Sequence, residues 1–243
     1  MSENPTKTES LAEIPDNSDM LPINQISKEQ IIKAFNSSLP FVQLMNYYRC
    51  AIMEVETKLN VLNAEFSMQY DRNPIETIKT RLKSPISIYE KALRKNIPLS
   101  ARAVEQSISD IAGIRVVCSF IEDIYKMAEY LTKQDDIRVI NIKDYIQNPK
   151  ESGYRSLHVI LEIPIFLSNQ KRWTKVEVQF RTIAMDFWAS VEHKLRYKKN
   201  IKNPELIAER LKEYAEIITH VDMGMQEIRS QIDSAETFDD DNE

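Results

Sequence analysis

Two short segments of the chain alternate between apolar and polar side chains, and this pattern is the strongest constraint on the fold. In residues 176–181 the alternating positions are Val176, Val178 and Phe180 against Glu177, Gln179 and Arg181. Residues 156–163 alternate in the same way, with Ser156 and His158 at polar positions. Side chains on a strand point to opposite faces in turn, so both segments are predicted to be strands with one face in the core. The polar face could bind a nucleotide or simply face solvent, as is common in half-buried sheets.

Helical and strand patterns also alternate around these two segments. The further predicted strands are 111–120 and 137–146, and the predicted helices between the ends are 84–95, 122–133 and 183–197. Together they predict an α/β (α+β) fold, with a mixed β-sheet of about five strands flanked by helices. The chain has only three glycines and neither GxGxxG nor GxxxxGK[ST], which excludes Rossmann and P-loop nucleotide sites.

Two longer helical patterns, at 41–66 and 207–232, bracket the sheet. In each of them apolar residues step by three and four, the spacing of a helix with one apolar stripe. Pro204 is typical of the first turn of the second helix. The pattern predicts long N- and C-terminal helices whose stripes pack on the sheet, on each other or across subunits, and it leaves these three arrangements open.

The formal net charge of −5 is unevenly distributed. Residues 1–22 and 233–243 carry −4 and −6, so the residues between them carry +5. Residues 79–102 hold seven Lys or Arg and one acid, which favours binding of polyphosphate or RNA over an ordinary solvated face. The polar composition of 1–25 and of 236–243 predicts disorder there, which leaves 26–235 as one ordered domain.

Membrane, secretion and disulfide signals are not found in the sequence. No apolar run approaches the ~20 residues of a membrane-spanning helix, and the N-terminus lacks the basic start and apolar stretch of a signal peptide. A cytoplasmic protein is therefore expected. Cys50 and Cys118 each lie in an apolar pattern, which predicts buried free thiols rather than a disulfide or a metal site.

Four motifs, in order along the chain, resemble the synthetase domain of the RelA/SpoT alarmone enzymes. They are DIAGIR at 110–115, GYRSLH at 153–158, VEVQFRT at 176–182 and MDFWASVEH at 185–193. The resemblance covers residues 75–199, and the length is that of the small single-domain synthetases. It implies a nucleotidyltransferase-like fold and a GTP diphosphokinase activity. Such an enzyme transfers the β,γ-pyrophosphate of ATP to the ribose 3′-OH of GDP or GTP, giving ppGpp or pppGpp in stringent-response signalling.

The resemblance implies a Mg²⁺ site at Asp110 and Glu177, with Glu177 also suited to accept the proton of the attacking hydroxyl. Mg²⁺ prefers oxygen ligands, often one or two carboxylates together with substrate phosphates. From the residues alone, Asp110 could equally be a helix cap or a turn residue.

The resemblance also divides the remaining site residues between the two nucleotides. Those implied for GDP or GTP are Tyr154, His158, Lys143, Asn148, Lys150 and Gln179. Those implied for ATP are Arg81, Lys83, Ser87, Lys91 and Arg115. Tyr154 would stack on guanine, and Arg81 and Arg115 would sandwich adenine, since guanidinium planes stack well on bases. From the residues alone, Tyr154 could instead pack on a neighbouring strand, and residues 143–150 could be an ordinary polar loop.

Two other function classes compete with this one. A nucleotidyltransferase that releases pyrophosphate would show a Gly-Ser turn followed by a close Asp-x-Asp pair, and neither occurs. A non-enzymatic protein that binds nucleotides or single-stranded RNA could use the basic segment and stacking aromatics, but it would have no use for a carboxylate at Glu177 except through a metal. The His/Asp hydrolase of bifunctional relatives is not expected, because no histidine is followed by Asp.

Assembly and regulation are further expectations from the resemblance. Some small alarmone synthetases form tetramers that pppGpp activates, and they carry Asn where this chain has Asp186. A carboxylate facing a pentaphosphate would repel it, so a homotetramer that pppGpp does not activate is expected. Alternatively, Asp186 caps helix 183–197 or faces solvent at its start, where a negative charge is favoured.

Overall fold

The computed structural model describes residues 27–70, 72–196 and 203–240, and its centre is one mixed sheet of five strands. The strands are β1 (Ile75–Leu82), β2 (Ala112–Cys118), β3 (Arg138–Asp144), β4 (Leu157–Phe166) and β5 (Lys171–Thr182). Their order across the sheet is β1-β2-β5-β4-β3. The neighbours β2 and β5 run parallel, and the other pairs are antiparallel. The predicted mixed sheet of about five strands is confirmed.

Helices surround this sheet. They are α1 (Lys28–Ser37), α2 (Leu39–Tyr70), α3 (Pro85–Arg94), α4 (Ala101–Ser107), α5 (Ile121–Thr132), α6 (Ile183–Arg196) and α7 (Pro204–Asp240). Ser84 caps α3, because its side chain accepts a hydrogen bond from the Ser87 N–H, and Pro85 follows at the first helical position. Three elements were not predicted, namely α1, β1 and α4.

The long helix α2 lies against the apolar face of the sheet. Its stripe, including Tyr48, Val55 and Leu59, is fully buried and belongs to the same core as Val176 and Val178 of β5. The apolar stripe of α2 is therefore used within the chain. The opposite, polar face of β5 is left free to form a site.

The long helix α7 buries a different row from the one that its apolar stripe predicted. Ala215 and Asp222 are buried, while Val221, Met225 and Ile228 are each about half exposed. Asp222 accepts a hydrogen bond from the Thr182 hydroxyl at 2.7 Å, which ties α7 to the end of β5. The predicted stripe of α7 is thus largely open to solvent.

Arg229 makes a second tie between α7 and the domain. The carboxylate of Asp123, which is fully buried on α5, accepts bonds from Arg72 at 2.7 and 2.9 Å and from Arg229 at 3.3 Å. Two guanidinium groups satisfy this buried charge, as a buried carboxylate requires.

Disorder was predicted at both ends of the chain, in residues 1–25 and 236–243. Residues 1–25 and 241–243 lie outside the described residues. α7 continues to Asp240, so it enters the segment 236–243 that composition marked as an acidic tail. No Gly or Pro stops the helix there, and acidic composition by itself is not a stop signal.

The two cysteines are free thiols, with Cys118 buried and Cys50 partly exposed.

Candidate active site

Five polar side chains lie next to one another in a line that crosses the whole sheet. Strand register pairs Lys79 with Arg115, Arg115 with Gln179, Gln179 with His158, and His158 with Lys143. We call these five residues the polar row. They come from five strands that lie far apart in sequence, so the topology of the sheet assembles the row. It brings residues predicted for ATP and residues predicted for GDP or GTP onto neighbouring strands.

Glu177 lies two residues before Gln179 on the same face of β5. Its Oε2 accepts a hydrogen bond from Gln179 Nε2 at 2.7 Å, and its Oε1 lies 3.4 Å from His158 Nδ1. Burial would raise the pKa of the Glu177 carboxyl, but His158 and Gln179 hold it below its usual range, against a smaller effect of the Asp110 charge. Glu177 is therefore an ionised, oriented carboxylate at neutral pH.

Asp110 lies just before β2, and its carboxylate pairs with two lysines. Its Oδ2 lies 2.9 Å from Lys83 Nζ, and its Oδ1 lies 2.8 Å from Lys91 Nζ. Burial would raise the pKa of Asp110, but the hydrogen bonds from Lys91 and Lys83 hold it below its usual range. Because its carboxylate binds lysines from the end of β1 and from α3, Asp110 is neither a helix cap nor a plain turn residue. Its charge also acts on the pKa of Glu177, so the two carboxylates interact electrostatically.

Two of the residues predicted for ATP, Arg81 and Arg115, line a small cleft beside Gln179. Its volume is about 130 Å³, and its lining includes Lys79, Arg81, Gly113 and Arg115. Gly113 faces both Arg81 and Glu177 in the strand register. A Cβ on Gly113 would lie 3.2 Å from Arg81 Nε, so the missing side chain lets Arg81 lie across β2. Gly113 was not predicted as a site residue, although its place in the DIAGIR motif was a possible signal.

Ser87 lies on the first turn of α3, next to the lysine that binds Asp110 from that helix. Its backbone N–H is used by the Ser84 cap, and its hydroxyl accepts a bond from Ser84 at 3.0 Å. Lys83 and Lys91 provide the positive charge on this side of the site, and Ser87 lies on the same helix as Lys91.

The residues predicted for the acceptor base form an aromatic cluster. The Tyr154 hydroxyl accepts a hydrogen bond from Arg181 Nη2 at 2.7 Å and lies 2.9 Å from His158 Nε2. The ring of Tyr145 meets the His158 ring edge-on at 5.2 Å, and Lys150 Nζ lies 4.7 Å from the centre of the Tyr154 ring. These contacts hold the Tyr154 ring, and the residue is partly exposed.

A chain of polar contacts links this cluster to Glu177. If the His158 proton is on Nδ1, Arg181 donates to Tyr154, Tyr154 donates to His158 Nε2, and His158 Nδ1–H points to Glu177. The acceptor cluster and the carboxylate are therefore held by one network. Tyr145 and Arg181 belong to it, and neither was predicted as a site residue.

Lys143 and Asn148 border the cluster. Lys143 is the exposed edge member of the polar row, and Asn148 is exposed in the loop where its N–H donates to the Asp144 carbonyl at 3.2 Å. Gly153 turns that loop with a φ of 84°, a left-handed conformation that suits glycine. The roles of Lys143 and Asn148 stay predictions.

Asp186 is placed differently from either expectation. It is 9% exposed, and its Oδ1 lies 3.0 Å from both Arg115 Nη1 and Arg181 Nη1. It therefore faces neither solvent nor an open cleft, and its charge is compensated. Two guanidinium groups from β2 and β5 already reach this carboxylate, and the expectation that pppGpp does not activate the protein stays a prediction.

A larger cleft of about 430 Å³ lies between α6 and α7. It is lined mainly by apolar side chains, among them Trp188, Val191, Leu211 and Ile218. None of the predicted nucleotide-binding residues lines it.

Comparison with known proteins gives consistent matches. The family described as "Region found in RelA / SpoT proteins" matches residues 80–202. GTP pyrophosphokinase YwaC of Bacillus subtilis is 44% identical over 186 residues, which are 76% of this chain and 89% of that protein. GTP pyrophosphokinase YjbM of the same organism is 39% identical over 189 residues, 78% of this chain and 88% of that protein.

Solved structures agree with these relatives. The small alarmone synthetase 1 from Bacillus subtilis, bound to its product pppGpp, matches with a TM-score of 0.70 and 39% identity over 76% of this chain and 94% of that chain. A GTP pyrophosphokinase family protein from Streptococcus pneumoniae matches with a TM-score of 0.74 and 36% identity over 82% and 97% of the two chains.

Proposed function

The chain belongs to the RelA/SpoT family and matches its small alarmone synthetases, and we propose that it transfers the β,γ-pyrophosphate of ATP to the 3′-OH of GDP or GTP. The products are AMP and ppGpp or pppGpp. The observation that carries this proposal is the position of Glu177 between two groups of side chains that we propose bind the two nucleotides. Its neighbours are the Arg81 and Arg115 side chains on β1 and β2, and the Tyr154 and His158 cluster on the other side.

The donor set of the site fits Mg²⁺. Asp110 and Glu177 offer carboxylate oxygens, and Mg²⁺ in phosphoryl-transfer sites is commonly held by one or two carboxylates plus substrate phosphates. Within the part of the chain that the structure describes, no cluster of three or more His, Cys, Asp or Glu residues could hold a metal. When bound, Mg²⁺ would neutralise charge that develops on the phosphate oxygens.

Glu177 is the proposed proton acceptor. In the transfer, the acceptor 3′-oxygen forms a bond to the β-phosphorus of ATP, the bond from that phosphorus to the bridging α,β-oxygen breaks, and AMP leaves. The proton of the 3′-OH passes to the Glu177 carboxylate, whose pKa is held below its usual range by His158 and Gln179. An ionised carboxylate is ready to accept that proton at neutral pH.

Lys83 and Lys91 are the proposed phosphate-binding cations. Both pair with Asp110 in the structure, at 2.9 and 2.8 Å. An incoming triphosphate competes for these lysines, since it offers them more negative charge than one carboxylate. As they turn to the phosphates, Asp110 becomes available to a cation, so binding of ATP and exposure of the Asp110 carboxylate are linked.

The acceptor base is proposed to stack on the partly exposed Tyr154 ring. The hydroxyl of that ring is held by Arg181 at 2.7 Å, and Lys150 lies 4.7 Å from its centre. Base stacking on an aromatic side chain contributes ~1–3 kcal/mol, and a ring that is already fixed loses little entropy on binding.

A labelled-product assay tests this activity. The protein is incubated with γ-³²P-ATP, Mg²⁺ and GDP or GTP, and the nucleotides are separated. We expect label in a guanosine tetraphosphate or pentaphosphate, with one AMP formed for each. Release of free pyrophosphate with no labelled guanosine product would instead support the pyrophosphate-releasing nucleotidyltransferase, and tight binding of single-stranded RNA without turnover would support the non-enzymatic class.

We also propose that copies of the chain assemble, most simply as a homotetramer. The apolar stripe of α2 packs in the core of the domain. The stripe of α7 instead has four apolar side chains that are about half exposed: Val221, Met225, Ile228 and Ile232. An apolar row of this kind on a surface helix is typical of an interface.

Within the described ranges no helix is long and apolar enough to cross a membrane. The cytoplasmic location stays a prediction, and light scattering tests the assembly, with a monomer contradicting it.

A further inference from the structure

One carboxylate oxygen of Asp186 holds two arginines that serve different sides of the site. Oδ1 lies 3.0 Å from Arg115 Nη1 and 3.0 Å from Arg181 Nη1. Asp186 lies in the first turn of α6, while Arg115 and Arg181 lie on the adjacent parallel strands β2 and β5. With the carboxylate only 9% exposed, water screens these interactions weakly.

The two arginines point to different nucleotides. Arg115 lines the small cleft beside Arg81, which is the proposed ATP side. Arg181 donates to the Tyr154 hydroxyl at 2.7 Å and to Gln179 Oε1 at 3.1 Å, which is the proposed acceptor side. Asp186 itself contacts neither the Tyr154 ring nor Glu177 in the polar network described above.

Without Asp186 the two guanidinium groups would face each other uncompensated. Burial lowers the pKa of Arg115, the Arg181 charge lowers it further, and Asp186 makes the larger opposing contribution. Two like charges that share one partly buried partner repel each other once that partner is removed. Two further cations would add to this repulsion, namely Arg81, which also lowers the Arg115 pKa, and Lys79, which lies 3.9 Å from Asp186 Oδ2.

We infer that Asp186 is a positioning residue that orients Arg115 toward the donor nucleotide and Arg181 toward the Tyr154 platform. One carboxylate thereby supports both nucleotide affinities, and we call this shared dependence the coupling of the two sites. The assignment of the sides to ATP and to GDP or GTP rests on the proposed function. The coupling itself concerns binding, so it is measured without turnover.

The test is calorimetric titration of the full-length protein with ATP alone and with GDP alone, in Mg²⁺. Asp186→Asn keeps the size of the side chain but removes its charge, and we expect roughly tenfold weaker binding of each nucleotide. The matched control is Asp222→Asn. Asp222 is similarly buried, at 8% exposed, and its carboxylate accepts a hydrogen bond from Thr182, the residue just before α6. The control is expected to keep both affinities. Should Asp186→Asn not fold, Asp186→Ser removes the charge with a smaller side chain and carries the same expectation.

A double variant separates positioning from general packing. If Asp186 acts on ATP through Arg115, then Asp186→Asn adds no further loss of ATP affinity in an Arg115→Ala background, yet it still weakens GDP about tenfold. Wild-type affinities in Asp186→Asn, fully additive losses for ATP, or an equal loss in Asp222→Asn would each overturn the inference. An enzyme that binds both nucleotides as expected but makes no labelled guanosine product would overturn the proposed function and leave the coupling intact.

Discussion

Gln179 and Glu177 stand two residues apart on one face of β5, and the Gln179 side-chain amide donates to Glu177 Oε2 across 2.7 Å. This contact uses one carboxylate oxygen and orients the other toward His158 at 3.4 Å. The carboxylate that is proposed to accept the 3′-OH proton is thus fixed from two sides. Such preorganisation is what a general base requires, because no reorganisation is then needed during the reaction.

Glu177→Gln is expected to abolish most synthesis and to leave the binding of both nucleotides largely intact. The amide has the same shape but neither accepts the 3′-OH proton nor ligates Mg²⁺ well, and loss of general-base help alone costs ~10²–10⁴ in rate. Initial rates of labelled ppGpp formation, with nucleotide titrations beside them, check this. Wild-type turnover would remove Glu177 from the mechanism.

Asp110→Asn is expected to lose synthesis through the metal rather than through the base. Lys83 and Lys91 lose their shared carboxylate, which lies 2.9 and 2.8 Å away. They remain free for phosphate, so ATP binding without Mg²⁺ should persist. Rates are measured across a Mg²⁺ titration. Full recovery at raised Mg²⁺ would mean that Asp110 only sets metal affinity, and a variant as active as the wild type at low Mg²⁺ would contradict its role.

Tyr154→Ala and Arg81→Ala are expected to have opposite selectivity. Tyr154→Ala should weaken GDP and GTP by roughly 1–3 kcal/mol, the contribution of base stacking, and leave ATP nearly unchanged. Arg81→Ala should weaken ATP and leave the acceptor nearly unchanged. Each variant is the other's control in separate titrations. Equal losses for both nucleotides in both variants would show that the two sides of the site have been misassigned.

The strand alternation could be predicted from the sequence, but the polar row could not. Glu177, Gln179 and His158 fall on polar positions of two segments whose period is visible in one dimension. Arg115 lies beside Gln179 because β2 pairs in parallel with β5, but the two residues are 64 positions apart in sequence, and no local signal sets this register. Tertiary pairing, not propensity, creates that juxtaposition.

The misses have similar causes. β1 was not predicted because it is an edge strand whose residues are mostly exposed, so that it lacks a clean apolar alternation. Asp186 was expected to face a pentaphosphate or, alternatively, to cap α6 or face solvent at its start, where a negative charge is favoured. Its burial depends on two arginines that arrive from separate strands, and helix periodicity holds no information about them.

Asp222→Asn tests the energetics of the tie between α7 and β5. Burial raises the pKa of Asp222, against the hydrogen bond from Thr182. The unfolded chain therefore ionises this group more easily than the folded protein. The penalty is absent below the ordinary pKa of about 4 and grows as pH rises toward the folded-state pKa.

The Asn variant removes this penalty while keeping an oxygen that can accept the Thr182 hydrogen bond. Its melting temperature should exceed that of the wild type at pH 7, by an amount on the order of 2 °C. The difference should shrink at acid pH. Thermal denaturation at both pH values measures it, and a variant that is less stable at pH 7 would show that the ionised carboxylate stabilises the fold.

In the proposed reaction the pyrophosphoryl group moves to the acceptor 3′-oxygen. A matched pair of acceptors distinguishes this oxygen from every other: 2′-deoxy-GDP keeps the 3′-OH, and 3′-deoxy-GDP lacks it. With γ-³²P-ATP and Mg²⁺, we predict a labelled guanosine product from 2′-deoxy-GDP and none from 3′-deoxy-GDP, which should still bind and inhibit. Label transferred to 3′-deoxy-GDP, or to neither GDP nor 2′-deoxy-GDP, would contradict the account.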